Sequence, residues 1–410
     1  MKTATRTHLW PVALEGIVGN FILGAMFTWA VFRAPLLELF PTWTEGMLSI
    51  VFGVHNLCIC AGILVGGRLA ERLPLRTLYF CLSVIQLIGF GSFAFLPVSM
   101  PAVSYVIVLV LFGIFCSFGV GIGINVVQTG TQPWFPSHTG LISGALFMAL
   151  GMSSFILAIA TQRLLAFYQV YFGAASVKYT VATIGVGLFV CAMLTLADPR
   201  SWRLPANREL KVVTNSKGVT PRMMVRMWVF WLLLFWNGFM RAVGFILLDH
   251  SANLAVAFGA TALTGMLISP ANGLGSLLTG FYLDKVGLRP NILTVGLTMA
   301  LSIALLVAGG LLSSPVLVVL ALVVGGLAYG GSSTTDSASI KRVFGGRHYS
   351  VNYGIANLSM ALGAGISSFS GIVLDAFGKD YMSIIIMSAI LVVPVIICSI
   401  GMAFVKMPRF

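Results

Sequence analysis

The chain nearly repeats itself after 212 or 213 residues, and both copies are dominated by apolar residues. The segment GRLAERLPLR at Gly67–Arg76 returns as GFYLDKVGLR at Gly280–Arg289, and the tetrapeptide MALG at Met148–Gly151 returns at Met360–Gly363. Several matches at nearly one offset, in the same order, indicate an internal duplication. Two similar halves of this size are typical of secondary transporters, which are often built from paired repeats.

The composition places the chain in a membrane. Hydrophobic residues make up 58% and charged residues 9%, whereas a soluble protein has about 25% charged residues. A membrane-spanning helix needs about 20 mostly apolar residues, and the sequence contains twelve such stretches, six in each half. We number them helices 1 to 12; they lie near 11–33, 46–67, 77–97, 103–127, 140–164, 176–197, 227–248, 260–281, 291–312, 315–337, 352–374 and 382–405.

A long polar segment between helices 6 and 7 separates two predicted domains. The sequence predicts an N-terminal six-helix bundle at 1–197, a cytoplasmic linker at 198–226 and a C-terminal six-helix bundle at 227–410. Most of the 24 basic residues fall in this linker or in loops on the same side, and basic loops mark the cytoplasmic face. We therefore expect a multi-pass protein of the inner (plasma) membrane with both termini in the cytoplasm. A basic inner face against anionic lipid explains the net charge of +13 without a nucleic acid.

The two copies of the repeated loop resemble a motif of a known superfamily. Both are similar to the G-x-L-a-D-R-x-G-R-R loop that joins helices 2 and 3, and helices 8 and 9, of the major facilitator superfamily. In that superfamily its acidic and basic residues make charge pairs and helix-end contacts that hold one conformation. The first copy departs from the pattern, with Glu71 for Asp and Pro74 where Gly is usual. The resemblance implies conformational gating by Glu71, Arg72, Arg76, Asp284, Lys285 and Arg289.

Four further segments resemble the oxalate/formate antiporter family, which is related to monocarboxylate carriers. They are FTWAVFRAPL (Phe27–Leu36), WFPSHTGLISG (Trp134–Gly144), YGG (Tyr329–Gly331) and VFGGRHYSVNYG (Val343–Gly354). The resemblance implies a carrier of a small mono- or dicarboxylate that works by alternating access, as an exchanger or a proton symporter. The superfamily's usual form is a monomer. In the family a basic residue on helix 8 and, in oxalate carriers, a lysine on helix 11 meet the anion, but these positions here are Ser276 and Met360.

Arg241 is the basic residue best placed to take over the anion contact. It lies well inside helix 7, where a charge costs about 2.5 kcal/mol or more, and the repeat offset places it opposite Trp29. In the superfamily, helices 1, 4, 7 and 10 line the central cavity. An ion pair with Asp249 or Asp336, or snorkelling toward the outer face, remains the structural alternative. The substrate-site residues predicted beside Arg241 are Phe27, Trp29, Asn125, Asn237, Tyr329 and Ser333.

Three residues are candidates for carrying a coupling proton. Asp336 follows the small-residue run YGGSSTTD on helix 10, and a buried carboxyl can be protonated near neutral pH. It can equally serve as a fixed counter-charge for Arg241. Glu15 on helix 1 and His55 on helix 2 are further candidates, although a single histidine on an apolar helix is more often a packing residue.

Two other functions remain open. A transporter of a neutral, cationic or amphiphilic solute is favoured by the missing charges at Ser276 and Met360, and a non-transporting membrane sensor of a metabolite is a remote alternative. An enzyme is not expected, because the five histidines and eleven acidic residues are scattered and suggest no nucleophile with its base. All six cysteines lie inside apolar spans, so neither a metal site nor a cofactor is predicted.

Overall fold

The computed structural model describes residues 9–197, 218–378 and 380–405. At a few positions inside these ranges, Glu71 among them, only the backbone is described. Nearly all of the described residues are helical and no β-strand occurs among them. The prediction of an all-helical membrane protein is confirmed.

The first six helices are regular except where helix 1 and helix 4 change their winding. Helix 1 is interrupted by a 3₁₀ turn, and the middle of helix 4 is π-helical. The bounds are Leu9–Gly24, the 3₁₀ turn Ala25–Thr28 and Trp29–Leu39 for helix 1; Glu45–Arg72 for helix 2; Leu75–Gly91 for helix 3; Pro101–Ile107, the π segment Val108–Cys116 and Ser117–Thr131 for helix 4; Thr139–Phe172 for helix 5; and Ser176–Ala197 for helix 6.

The second six helices follow a short helix at Pro221–Arg226, which lies in the predicted linker. Helix 11 was predicted as one span, but it is interrupted at Asn357. The bounds are Trp228–Ala257 for helix 7; the turn Ala262–Gly265 and Ile268–Val286 for helix 8; Leu288–Leu311 for helix 9; Pro315–Phe344 for helix 10; Tyr349–Ala356 and Leu358–Ala376 for helix 11; and Met382–Phe404 for helix 12.

Ten stretches of the described chain are long and apolar enough to cross a membrane. One of them, Thr139–Ala197, contains both helix 5 and helix 6. Helix 8 is not among the ten, because Ile268–Val286 is rich in small and polar residues and carries Asp284 and Lys285. These two facts reconcile the ten stretches with twelve helices.

The described chain packs as two compact units. The first unit contains the residues up to Trp134 and those from Met152 to Ala197, and the second contains Phe135–Gly151 and the residues from Gly218 onward. From the sequence, with the domain boundary at the linker, Phe135–Gly151 is expected in the N-terminal domain. The beginning of helix 5 joins the second unit because its glycines meet helix 8: a Cβ on Gly144 would lie 2.4 Å from the Ser276 carbonyl oxygen.

Within each unit, glycines allow two helices to touch through their backbones. In the first unit, a Cβ on Gly121 of helix 4 would lie 2.1 Å from the Ile59 carbonyl oxygen of helix 2. A Cβ on Gly62 would lie 2.1 Å from the Phe118 carbonyl oxygen. In the second unit, Gly275 occupies the position repeated from Gly62, and a Cβ there would lie 2.2 Å from the Leu327 carbonyl oxygen of helix 10. Small residues at such crossings drive helix association in membranes.

We expect Gly121→Ala to destabilise the protein by about 1–3 kcal/mol, because the added methyl group overpacks a backbone contact that cannot relax. The melting temperature of the purified protein in detergent measures the effect. Gly187→Ala is the matched control: Gly187 also lies in a helix, but a Cβ there meets no atom within 4 Å, so its melting temperature should be unchanged or higher. Equal melting temperatures for the two variants would contradict the predicted contact.

Candidate functional site

Arg241 of helix 7 is buried and ion-paired inside the second unit. Its side chain is 6% exposed, and its Nη2 lies 3.2 Å from Oδ2 of Asp336, whose side chain is 4% exposed. The same Nη2 lies 3.2 Å from Oδ1 of Asn357. Of the structural alternatives raised by the sequence, the pair with Asp336 is therefore the one present here. Asp249 has a 45% exposed side chain and lies 3.8 Å from His250 instead.

The guanidinium of Arg241 is only partly used by these contacts. Asp336 and Asn357 both meet Nη2, whereas the buried Nε has no hydrogen-bond partner among the described residues. Nε and Nη2 together form one edge of the planar guanidinium, and this edge matches the two oxygens of a carboxylate. One donor of that edge is thus unpaired among the described residues, and the other meets one oxygen of Asp336 and one of Asn357.

The interruption of helix 11 brings Asn357 to Arg241. The side-chain amide of Asn357 donates to the Tyr353 carbonyl oxygen at 3.0 Å, so its Oδ1 is directed to the guanidinium. Helix 11 can approach this closely because of Gly363, where a Cβ would lie 2.6 Å from Cβ of Arg241. The sequence analysis did not predict Asn357 as a site residue. The signal that could have identified it is an amide side chain inside an apolar span. Met360, the position of the family's lysine, lies one turn further along and is buried.

Of the other predicted residues in the second unit, Asn237 joins this network. Its amide donates to Ser359 Oγ at 3.1 Å, and Asn237 also interacts with Asp336. The hydroxyl of Ser333 donates to the Tyr329 carbonyl oxygen of its own helix, and the Tyr329 ring packs against Phe245. Arg241, Asp336, Asn237 and Asn357 therefore form one connected polar cluster.

In the first unit, three predicted residues surround the irregular parts of helices 1 and 4. The Phe27 ring meets His55 edge-on with ring centroids 5.8 Å apart, and the Trp29 ring packs against Phe112 at 5.4 Å. Nδ1 of His55 lies 2.8 Å from Ser117 Oγ. These side chains line one region where helices 1, 2 and 4 meet.

The structure places two other predicted residues of the first unit elsewhere. The amide of Asn125 donates to the Ile63 carbonyl oxygen at 2.9 Å, which ties helix 4 to helix 2. Glu15 is buried and interacts electrostatically with Tyr79 of helix 3. Neither contact belongs to the region around His55.

The acidic residue of the second loop motif caps the start of helix 5. The two oxygens of Asp284 accept hydrogen bonds from the backbone N–H groups of Gly140 at 2.9 Å and Leu141 at 2.8 Å. Asp284 also forms an ion pair with Arg342 near the end of helix 10. A carboxylate at a helix N-terminus is stabilised by the unpaired N–H groups there. Arg342 was not among the predicted gating residues, because it lies outside the loop motif.

The basic residues of the two loop motifs make matching contacts in the two units. Nη2 of Arg76 donates to the Leu196 carbonyl oxygen at the end of helix 6, and Nη2 of Arg289 donates to the Val405 carbonyl oxygen after helix 12, each at 2.5 Å. Positive charge is favourable at such helix ends. Nζ of Lys285 lies 4.3 Å from the centre of the Phe281 ring. Arg72 is exposed, and the side chain of Glu71 lies outside the described residues.

The described residues contain no group of three or more His, Cys, Asp or Glu side chains placed to hold a metal ion.

A family model described as the Major Facilitator Superfamily matches residues 16–368 of the chain. Among curated proteins, the uncharacterized MFS-type transporter YhjX of Escherichia coli (strain K12) is 23% identical over 365 residues, which cover 87% of this chain and 85% of YhjX.

Solved structures of three transporters are similar to the whole chain. The proton:xylose symporter XylE superimposes with a TM-score of 0.80 at 13% identity, covering 98% of this chain and 96% of XylE. The Escherichia coli fucose:proton symporter FucP gives 0.70 at 12% identity, covering 98% and 100%. A bacterial homologue of the iron transporter ferroportin gives 0.69 at 14%, covering 97% and 99%. At these identities the similarity shows the fold alone.

We expect Asp284→Ala to destabilise the protein by about 1–3 kcal/mol, because it leaves two backbone donors and the Arg342 guanidinium without their acceptor. Asp284→Asn should cost less, since one amide oxygen still accepts from the start of helix 5. Melting temperatures of the two variants test this order. If Asn costs as much as Ala, the ion pair with Arg342 rather than the cap carries the stabilisation.

Proposed function

The chain belongs to the Major Facilitator Superfamily and is a multi-pass membrane transporter, and we propose that its cargo is a small mono- or dicarboxylate moved by alternating access. The observation that carries the proposal is Arg241, a buried guanidinium with one donor of its carboxylate-binding edge unpaired. A buried donor without a partner costs about 1–3 kcal/mol. A carboxylate that takes this donor recovers the cost.

Arg241 can also replace the two basic residues that this chain lacks relative to the oxalate/formate antiporters. Where the oxalate/formate antiporters have a basic residue on helix 8 and a lysine on helix 11, this chain has Ser276 and Met360. Both are buried, and neither can balance a negative charge. Arg241 on helix 7 supplies the cation that an anion needs in a low-dielectric environment.

Asp336 links binding of the anion to a proton. A carboxylate that takes both Nε and Nη2 of Arg241 displaces the single Asp336 oxygen from Nη2. The displaced Asp336 is then a buried carboxylate without its counter-charge, and such a group is far more stable when protonated. Entry of the anion and protonation of Asp336 thus favour each other, which yields proton symport. Exchange results when one anion leaves Arg241 on one side of the membrane and another anion binds there on the other side, while Asp336 keeps its proton. Glu15 and His55 remain secondary proton carriers in this proposal.

A neutral hydroxylated solute is the second candidate cargo. The names of XylE and FucP describe symporters of xylose and fucose with protons, and the first unit carries the aromatic residues Phe27 and Trp29, of which Phe27 contacts His55. In that case the Arg241–Asp336 pair is purely structural.

We further propose that the protein is a monomer in the inner membrane. Both termini are proposed to lie in the cytoplasm, because the basic loops fall on one side of the predicted helices.

We expect small carboxylates, but not amines or neutral sugars, to raise the melting temperature of the purified protein, because a ligand bound to the folded state stabilises it. Arg241→Gln should abolish this rise, and Arg241→Lys should weaken it, since an ammonium lacks the planar two-donor edge. Arg163→Gln, which removes an exposed arginine at the far part of helix 5, is the control and should respond like the wild type. If sugars stabilise the protein and carboxylates do not, the neutral-solute alternative replaces the proposal.

We expect Asp336→Asn to separate exchange from proton coupling. In proteoliposomes an inward proton gradient should drive carboxylate accumulation by the wild type, whereas the Asn variant should still exchange labelled for unlabelled carboxylate but lose the response to the gradient. An amide cannot take up a proton, yet it leaves Arg241 free for the anion. Gradient-driven accumulation by the variant would show that the proton is carried elsewhere.

A further inference from the structure

A short helix just before helix 7 is held against the second unit. It spans Pro221–Arg226 and follows Val219, whose backbone N–H donates to the Phe344 carbonyl oxygen at 2.8 Å. The Val219 carbonyl oxygen accepts from the side-chain amide of Asn352 at 2.9 Å. Met224 of the short helix is fully buried. The segment that leads into helix 7 is therefore fixed to the end of helix 10 and the beginning of helix 11.

The outer side of the short helix is basic. Arg222 and Arg226 are exposed, and because each is two residues from the buried Met224, both lie on the side opposite to it. A third exposed arginine, Arg347, lies beside Gly218, where a Cβ would be 3.0 Å from the Arg347 Cβ.

The charge of these three arginines is not neutralised within the described chain. None of them forms an ion pair with a described residue, and no acidic residue occurs from 218 to 248. The surface is therefore suited to an anion supplied from outside the protein.

Helix 7 extends this basic surface with exposed aromatic side chains. Trp228 and Trp231 are 58% and 45% exposed, and Phe235, one turn further, is also exposed. The indole N–H of Trp231 donates to the Val225 carbonyl oxygen at 2.9 Å, which places the ring beside the last turn of the short helix. The Trp231 and Phe235 ring centroids are 6.2 Å apart.

This order of side chains matches the order of layers in a membrane. Tryptophan, with one polar and one apolar end, is favoured at the boundary between lipid headgroups and acyl chains. If Trp231 lies at that boundary, the short helix with Arg222 and Arg226 lies at the level of the headgroups, and Phe235 lies at the level of the acyl chains.

We propose that this surface binds an anionic phospholipid. The guanidinium groups of Arg222 and Arg226 form charge-assisted hydrogen bonds with the phosphate oxygens, and one acyl chain packs along Trp231 and Phe235. A soluble phosphate would use the arginines alone, whereas a lipid also covers the exposed rings that adjoin them. The inference goes beyond the proposed function, because it concerns a partner of the second unit and not the cargo.

The test titrates the purified protein in detergent with phosphatidylglycerol and follows the melting temperature, which a ligand of the folded state raises. We expect a rise that saturates with lipid concentration. Phosphatidylcholine with the same acyl chains has no net charge, and glycerol phosphate has no chains, so both should give little rise at the same concentrations.

Arg222→Gln/Arg226→Gln should weaken the response to phosphatidylglycerol. A basic residue near the membrane surface contributes about a fivefold gain in affinity for anionic lipid. The double variant should therefore need about 25-fold more lipid for the same rise. If it is not monodisperse, the two single variants serve instead, and each should need about fivefold more.

Arg68→Gln/Arg163→Gln is the matched control. It also removes two exposed arginines, both in the first unit, and so changes the net charge by the same amount. It should respond to phosphatidylglycerol like the wild type.

Four results overturn the inference. They are a wild type that does not respond to phosphatidylglycerol, a double variant that responds like the wild type, an equal rise with phosphatidylcholine, and an equal rise with glycerol phosphate, which would assign the arginines to a soluble anion. None of these results depends on the cargo, because failure of the carboxylate proposal is seen separately, in the carboxylate response of Arg241→Gln.

Discussion

The second unit depends on one buried charge, the guanidinium of Arg241. Moving a cation into a low-dielectric interior costs several kcal/mol, and the cost is recovered only with a close counter-charge and further hydrogen bonds. Asp336 on helix 10 and Asn357 on helix 11 meet this requirement at 3.2 Å each. The positions of three helices are therefore coupled through a single side chain, and the interruption of helix 11 at Asn357 follows from the same requirement.

The first unit lacks the charge of Arg241 at the repeated position. At the position that the repeat offset aligns with Arg241 it has Trp29, and in the same region Nδ1 of His55 lies 2.8 Å from Ser117 Oγ. The backbone scaffold is nevertheless repeated: Gly62 and Gly275 both allow backbone contact between helices, and Arg76 and Arg289 both bond to the ends of the last helices of their units. The duplication thus kept the framework in both halves, whereas the residues at the position of Arg241 diverged.

Much of the fold was predictable because membrane insertion is decided by local composition. The apolar runs indicated where the helices lie. The length of an apolar run reflects the thickness of the membrane, however, and a helix can extend beyond it. Helix 10 was predicted to end near residue 337, yet it continues to Phe344, since the polar residues after Asp336 remain helical and place Arg342 beside Asp284. Asn357, Ser117 and Arg342 belong to no motif, and their roles depend on the side chains that lie opposite them.

The sequence by itself determined that the chain is an all-helical membrane protein built from a duplicated half, because the apolar runs and the repeat offset follow directly from the order of residues. It also singled out Arg241, since a charge inside an apolar helix requires a partner. Only the tertiary structure decided that this partner is Asp336 rather than Asp249, that Asp284 caps helix 5, and that His55 lies beside Ser117. These contacts join residues that are far apart in the chain, and their geometry depends on how the helices cross and where the backbone departs from α-helical winding.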